Sequence, residues 1–227
     1  MRGGIPEPDP ALSLQHRDAL RARIAHLGEG ALFALEDIAH TEDEQADLTA
    51  MRNHDHFHVI DGLFTGVVET VYLRRPPRLA ALLDSYARHR GCTLVETGDW
   101  AAWRTGLKGW EPIEGHRYHS DGPAETLSYG TRMKIRILNS PDWLRASDEG
   151  GALFRMFHDL SEKDRRAVFR RMESVPSLAG LDLDAALEHA ETIPDVDLHQ
   201  GDPSPADTRD LIADVAHARK ARLDRPT

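Results

Sequence analysis

The side chains in this chain with the most latent chemistry are imidazoles. Thirteen of its 227 residues are histidine; His54, His56 and His58 recur at period 2 with Asp55 between them, and His116 and His119 follow later. Alternate residues of a strand point to one face, so three neutral imidazoles in that register could share a zinc ion, which accepts histidine nitrogen at about 2 Å in tetrahedral sites. A metal-dependent enzyme is therefore one alternative. The spacing, however, contains no HExxH and does not match a hydrolase pattern in which alternating histidines precede an Asp-His pair. Surface or wing residues are the plainer reading, and no catalytic residue, metal ligand or cofactor is assigned. Gly28-Glu29-Gly30 lacks the third glycine and the preceding strand of a dinucleotide site and reads as a helix terminator. Trp100, Trp103, Trp110 and Trp143 could stack on a ligand, but their setting points to packing or to a partner surface. No Ser, His and Asp set lies in a nucleophile-elbow context.

The elements that must position these residues sit in a chain of ordinary globular composition. Hydrophobic residues make up 40% and the formal net charge is −10. That balance disfavours non-specific attraction to nucleic acid or an anionic membrane, while leaving room for a local basic face. No apolar run approaches the roughly 20 residues of a membrane span, and residues 1–12 read as a proline-bearing arm rather than a signal peptide. No membrane association and a cytoplasmic location are expected. The single cysteine, Cys92, excludes an internal disulfide.

Along the chain, Leu14, Leu20, Ile24 and Leu27 mark one face of a helix from Ser13 that stops at Gly28, and a brief helix begins at Leu35. Thr41 is an N-cap with Glu44 completing a capping box. Residues 54–60 then alternate as a strand, Asp61-Gly62 is a turn, and residues 67–73 supply the returning strand. Three short helices and a hairpin are the element order of a winged helix, spanning 13–73. Pro76-Pro77 marks a hinge into a second unit over 76–195, which holds helices over 79–90 and 99–107 and a three-stranded antiparallel meander over 116–138. Two helices follow over 151–158 and 161–172, with Phe154, Phe157, Val168, Phe169 and Met172 expected in the core, and another spans 178–190. Residues 196–227 read as a linker and a C-terminal amphipathic helix. The fold class is α+β, an N-terminal winged helix-turn-helix followed by an α/β domain.

Four patterns, GEGALFALEDI, the hairpin HVIDGLFTG, PPRLAALLDSYARHRG with GDWAAWRTGL, and YHSDGPAETLSYGTRMKIRI, together resemble the AbiEi-type antitoxins of type IV toxin–antitoxin systems over about residues 14–175. Gly62 matches the wing turn, residues 98–107 the small-residue helix and residues 121–123 the meander turn. The resemblance implies a winged-helix transcriptional regulator that represses its own operon, joined to a domain that counters a nucleotidyltransferase toxin. The implied partners are a cognate toxin and operator DNA.

On this reading Thr41, Gln45, Thr49 and Arg52 belong to the helix that enters the groove. The same helix carries Glu42, Asp43, Glu44 and Asp47, all expected to face phosphates and weaken binding, with Arg74, Arg75 and Arg78 as alternative phosphate contacts. Arg132, Lys134 and Arg136 alternate along the last meander strand opposite the apolar Met133, Ile135 and Ile137. With Trp143 and Tyr129 as aromatic anchors, this basic face is the expected partner-binding surface. An interaction protein that keeps the fold with a different partner is a further alternative.

Overall fold

A computed structural model of the chain describes residues 10–52, 56–60, 62–69, 74–109, 111–112, 115–130, 132–175, 178, 180–194 and 203–223. Among these the elements run α1 (Pro10–His26), β1 (Leu32–Phe33), α2 (Leu35–Ile38), α3 (Glu42–Ala50), β2 (His56–Ile60), β3 (Leu63–Gly66), β4 (Val68–Glu69), β5 (Arg74–Arg75) and α4 (Leu79–Arg90). They continue with β6 (Leu94–Glu96), α5 (Gly98–Thr105), β7 (His116–Ser120), β8 (Glu125–Tyr129), β9 (Met133–Asn139), α6 (Asp142–Arg145), α7 (Glu149–His158), α8 (Glu162–Ser174), α9 (Leu183–Glu191) and α10 (Pro205–Leu223). The class is α+β, with small sheets ordered β1-β3-β2, β4-β5 and β6-β7-β9-β8. None of the described helices is long and apolar enough to cross a membrane.

The chain forms two compact units, 1–92 with 126–135, and 93–125 with 136–227. The division does not fall at residue 75, where Pro76-Pro77 placed it. α4 belongs to the first unit because it packs on β1 and on Gly30. Gly30 has φ +79°, and a Cβ there would meet the Ala81 carbonyl carbon at 2.5 Å, so only glycine allows this approach. Glu29 ties the same loop down by accepting from the Arg78 N–H at 2.6 Å and the Arg75 guanidinium at 3.0 Å.

In the first unit Leu20, Ile24, Phe33, Ile38, Leu48, Met51 and Phe64 close a core with Leu35 at its margin. Leu27, expected among them, is 44% exposed. It lies one residue past the end of α1, where the helical period no longer carries it inward. β3 pairs antiparallel with both β1 and β2. The returning strand is thus 63–66 rather than 67–73: Val68 and Glu69 pair instead with Arg75 and Arg74, and residues 70–73 fall outside the described set.

The 116–138 segment contains the three expected strands, yet not in meander order: β9 lies between β7 and β8. Its Ile135 and Ile137 are fully buried while Met133, Lys134 and Arg136 are exposed, and Leu127 of β8 is fully buried as well, so each strand gives one face to the core. β6 pairs antiparallel with β7 on the other side.

In the second unit, α7, α8, α9 and α10 surround Phe154, Phe157, Val168, Leu183, Ile212 and Val215. Asp148, Ser161 and Asp182 cap α7, α8 and α9 by accepting from the third N–H of each helix. α10, expected as an appendage of a linker, is part of this core; Pro205 starts it, and Ser204 and Asp207 cap each other reciprocally. Phe169, expected inside, is 38% exposed. At about 100° from Val168 on the helix, it cannot share that residue's fully buried direction.

Candidate nucleic-acid interface

α3 begins as its sequence indicates: Thr41 Oγ1 accepts from the Glu44 N–H at 3.2 Å. The reciprocal half of the box does not form. The Glu44 carboxylate instead accepts from the His40 N–H at 2.8 Å and is gripped on both oxygens by the Arg23 guanidinium of α1, at 3.0 and 3.1 Å. Arg23 also donates to the Ile38 carbonyl at 2.7 Å, so one side chain joins α1, α2 and α3. The Arg23 hydrogen bonds, with the His40 N–H, pull the Glu44 carboxyl down to a pKa of about 2. One turn on, Asp47 faces α1 as well, 3.5 Å from His16 Nδ1 and 3.8 Å from Arg17 Nε.

This geometry corrects the charge expected on the helix. Of the four acids, Glu44 is buried and Asp47 is half-buried against α1, leaving Glu42 and Asp43 exposed in the first turn, where the helix dipole favours them. The exposed face holds Thr41, Gln45 and Thr49 at i, i+4 and i+8, with Arg52 just beyond the helix end. Thr49 Oγ1 donates back to the Gln45 carbonyl at 2.7 Å, so the outward polar groups of this face centre on the Gln45 amide and the Arg52 guanidinium. Arg52 lies 5.8 Å over the Phe64 ring, and its backbone bridges to His56. Two of the three alternative phosphate contacts are engaged elsewhere: Arg74 donates twice to Glu69 and Arg75 binds Glu29.

Among the described residues of the histidine run, His56 and His58 pack on aromatic rings. His56 is fully buried, its ring 5.3 Å from Phe64 and 6.1 Å from Phe33, and His58 meets Phe64 edge-on at 5.5 Å. Both imidazoles do share a face, as period 2 requires, but they enclose an aromatic ring. His54 lies outside the described residues, among which no group of three His, Cys, Asp or Glu side chains is placed to hold a metal.

Arg132, Lys134 and Arg136 are exposed, with Lys134 Nζ donating to Ser128 Oγ at 2.7 Å. Met133 is 40% exposed, so the buried face of β9 begins only at Ile135. The expected aromatic anchors are otherwise occupied. Trp143 packs edge-on against Phe154 and His158, at 5.9 and 5.1 Å, as a partly buried member of the second core. Tyr129 donates its hydroxyl to the Pro77 carbonyl.

One polar cluster left no trace in the sequence pattern. Ser140 Oγ is 2.8 Å from His119 Nδ1, and His119 Nε2 is 3.1 Å from Asp159 Oδ2, which also accepts the Gly98 N–H at 2.6 Å. Burial pushes the Asp159 carboxyl up, but His119, His158 and the Gly98 N–H outweigh it and hold the carboxyl below its ordinary range. The order of contacts is that of nucleophile, base and orienting acid. Ser140 and His119 are buried, however, and Ser140 Oγ has a second acceptor in the Leu138 carbonyl at 3.2 Å, which makes the cluster a tie between β7, β9, α5 and α7. Gly98 is required there, since a Cβ would meet the Arg155 carbonyl oxygen at 2.1 Å.

No protein-family model, curated protein or solved structure matches the chain.

Proposed function

We propose that the first unit is a winged helix that binds duplex DNA through α3, and that the chain is a regulator of the antitoxin type. The observation that carries this reading is the outward face of Gln45, Thr49 and Arg52 on a helix whose acids Glu44 and Asp47 are turned toward α1. The element order α1, β1, α2, α3, β2, β3 and the strand order β1-β3-β2 support it, since a third helix followed by a hairpin is the arrangement that places a helix in the major groove beside a wing. Gln45 is of the type that pairs with adenine and Arg52 with guanine or phosphate. With few exposed cations on the helix, affinity is modest and its salt dependence shallow.

The antitoxin half of the proposal rests on the resemblance of the four sequence patterns, with a nucleotidyltransferase toxin as the partner and the exposed Arg132, Lys134 and Arg136 as its contact. A reporter driven by the chain's own upstream DNA tests the regulatory half, and co-expression with the product of the adjacent gene, which this reading requires to be a nucleotidyltransferase toxin, tests the other. Repression lost on Gln45→Ala, and growth rescue lost on reversing the three cations to Glu, are expected. An unrepressed reporter refutes the first half, and unrescued growth refutes the second.

A further inference from the structure

Gln45 and Arg52 supply the polar groups of the α3 face, and Thr49 between them offers something different. It is exposed, yet its Oγ1 donates to the Gln45 carbonyl at 2.7 Å. A hydroxyl has one proton, and this one is committed to the helix itself, so the group that Thr49 presents outward is its γ-methyl. Folding alone does not call for that methyl. A β-branched residue is a weaker helix former than alanine, and a hydroxyl bonded to the carbonyl four residues back tends to bend a helix rather than steady it. The exposed Ala46 and Ala50 show the better helix former in use on the same surface.

The surroundings of the methyl set what it can touch. Ala46 lies three residues before Thr49 and Gln45 four before, so two methyl groups adjoin one amide on neighbouring turns. In the major groove the base pair that offers a methyl is A·T, through thymine C5, and the same pair offers adenine N6 and N7 to an amide. The methyl of Thr49 and the amide of Gln45 therefore point to the same kind of base pair.

We infer that Thr49 selects thymine, through contact of its γ-methyl with the thymine C5-methyl in the major groove, within two base pairs of the adenine that Gln45 reads. This inference rests on α3 being the helix that reads DNA. The spacing follows from the helix: four residues rise about 6 Å, against about 3.4 Å for each base pair. Glu42 lies on the same stripe as Ala46 and Thr49, and Asp43 beside it, both exposed in the first turn. Their charges oppose any duplex alike, so they cancel when two duplexes differ by one methyl group.

Deoxyuridine pairs as thymine does and lacks only the C5-methyl, which makes it the probe. The full chain is titrated by fluorescence anisotropy at about 50 mM salt into a labelled duplex of its own upstream DNA, and into copies in which single thymines are replaced by deoxyuridine. At one thymine, within two base pairs of an A·T pair at which Gln45→Ala loses discrimination, the replacement lowers wild-type affinity by about fourfold, the worth of one buried methyl. Thr49→Ser keeps the hydroxyl and removes the methyl; it binds the parent duplex about fourfold more weakly than wild type and no longer distinguishes the deoxyuridine copy. Thr49→Val keeps a methyl and keeps the discrimination. A disturbed helix would weaken all duplexes together and would not produce a loss confined to one thymine. Failure to bind the parent duplex overturns the reading of α3 and this inference with it. Binding that Gln45→Ala or Arg52→Ala weakens, but that no deoxyuridine replacement changes, overturns the role of Thr49 alone. Discrimination that survives in Thr49→Ser also overturns that role, assigning the effect to Ala46 or to duplex shape.

Discussion

Replacing Glu44 with glutamine removes one charge from the junction of α1, α2 and α3 and leaves the shape nearly unchanged. Glutamine can still accept the His40 N–H, so the loss isolates the ionic grip of Arg23. The carboxyl is drawn from 4.5 to about 2, and at about 1.4 kcal/mol per unit that shift corresponds to roughly 3.5 kcal/mol as an upper bound. The Arg23 side chain is 38% exposed, so solvent screening reduces this to about 1–2 kcal/mol. For a chain of this length the melting temperature falls by roughly 2–8 °C. Because the folded pKa is depressed, the stabilisation is complete above pH about 5 and is lost as the pH falls from the unfolded value through about 2. Thermal unfolding followed by circular dichroism should show wild type above Glu44→Gln at pH 7, with the gap narrowing toward pH 3. Equal stability at pH 7, or a gap that does not change with pH, refutes the claim that Arg23 and Glu44 hold α3 to α1.

Gly30→Ala combines a positive φ with a Cβ 2.5 Å from the Ala81 backbone and should cost at least about 2 kcal/mol in denaturant melts; a loss under about 0.5 kcal/mol means that α4 is free to shift. Asp159→Asn deprives His119 and the Gly98 N–H of a charged acceptor and should destabilise the chain by about 1–3 kcal/mol at pH 7. As the Asp159 carboxyl is also held below its ordinary range, the difference should shrink as pH drops below about 4, and an increase instead contradicts the assigned tie.

Local signals in this chain were legible where neighbours in sequence decide the structure. Thr41 and Ser161 announce their helices because each caps an N–H three residues on. The alternation at Ile135 and Ile137 marks a strand, and Gly62 marks the turn before β3. Partners chosen over longer distances were not legible. Glu44 is claimed by Arg23, 21 residues away, and this turns an apparently acidic α3 into a helix with a largely uncharged outer face beyond its first turn. The insertion of β9 between β7 and β8 is a strand order that the turn residues joining them do not record. His119, Ser140 and Asp159 meet across 21 and 40 residues with no motif to flag them. Phe169 shows the opposite failure: composition placed an aromatic inside, and helical phase placed it outside.

The central claim is that α3 reads duplex DNA through Gln45 and Arg52. An equilibrium anisotropy titration tests it most directly, using a labelled duplex of the chain's own upstream DNA at 50 and 200 mM salt, with the wild type and with Gln45→Ala and Arg52→Ala. The account predicts saturable binding that weakens with salt. Gln45→Ala should lose about 1–3 kcal/mol of preference for that duplex over a scrambled one, and Arg52→Ala should bind both more weakly, with a shallower salt slope if its contact is to phosphate. Binding that neither substitution changes, or an absence of binding at 50 mM salt, contradicts it.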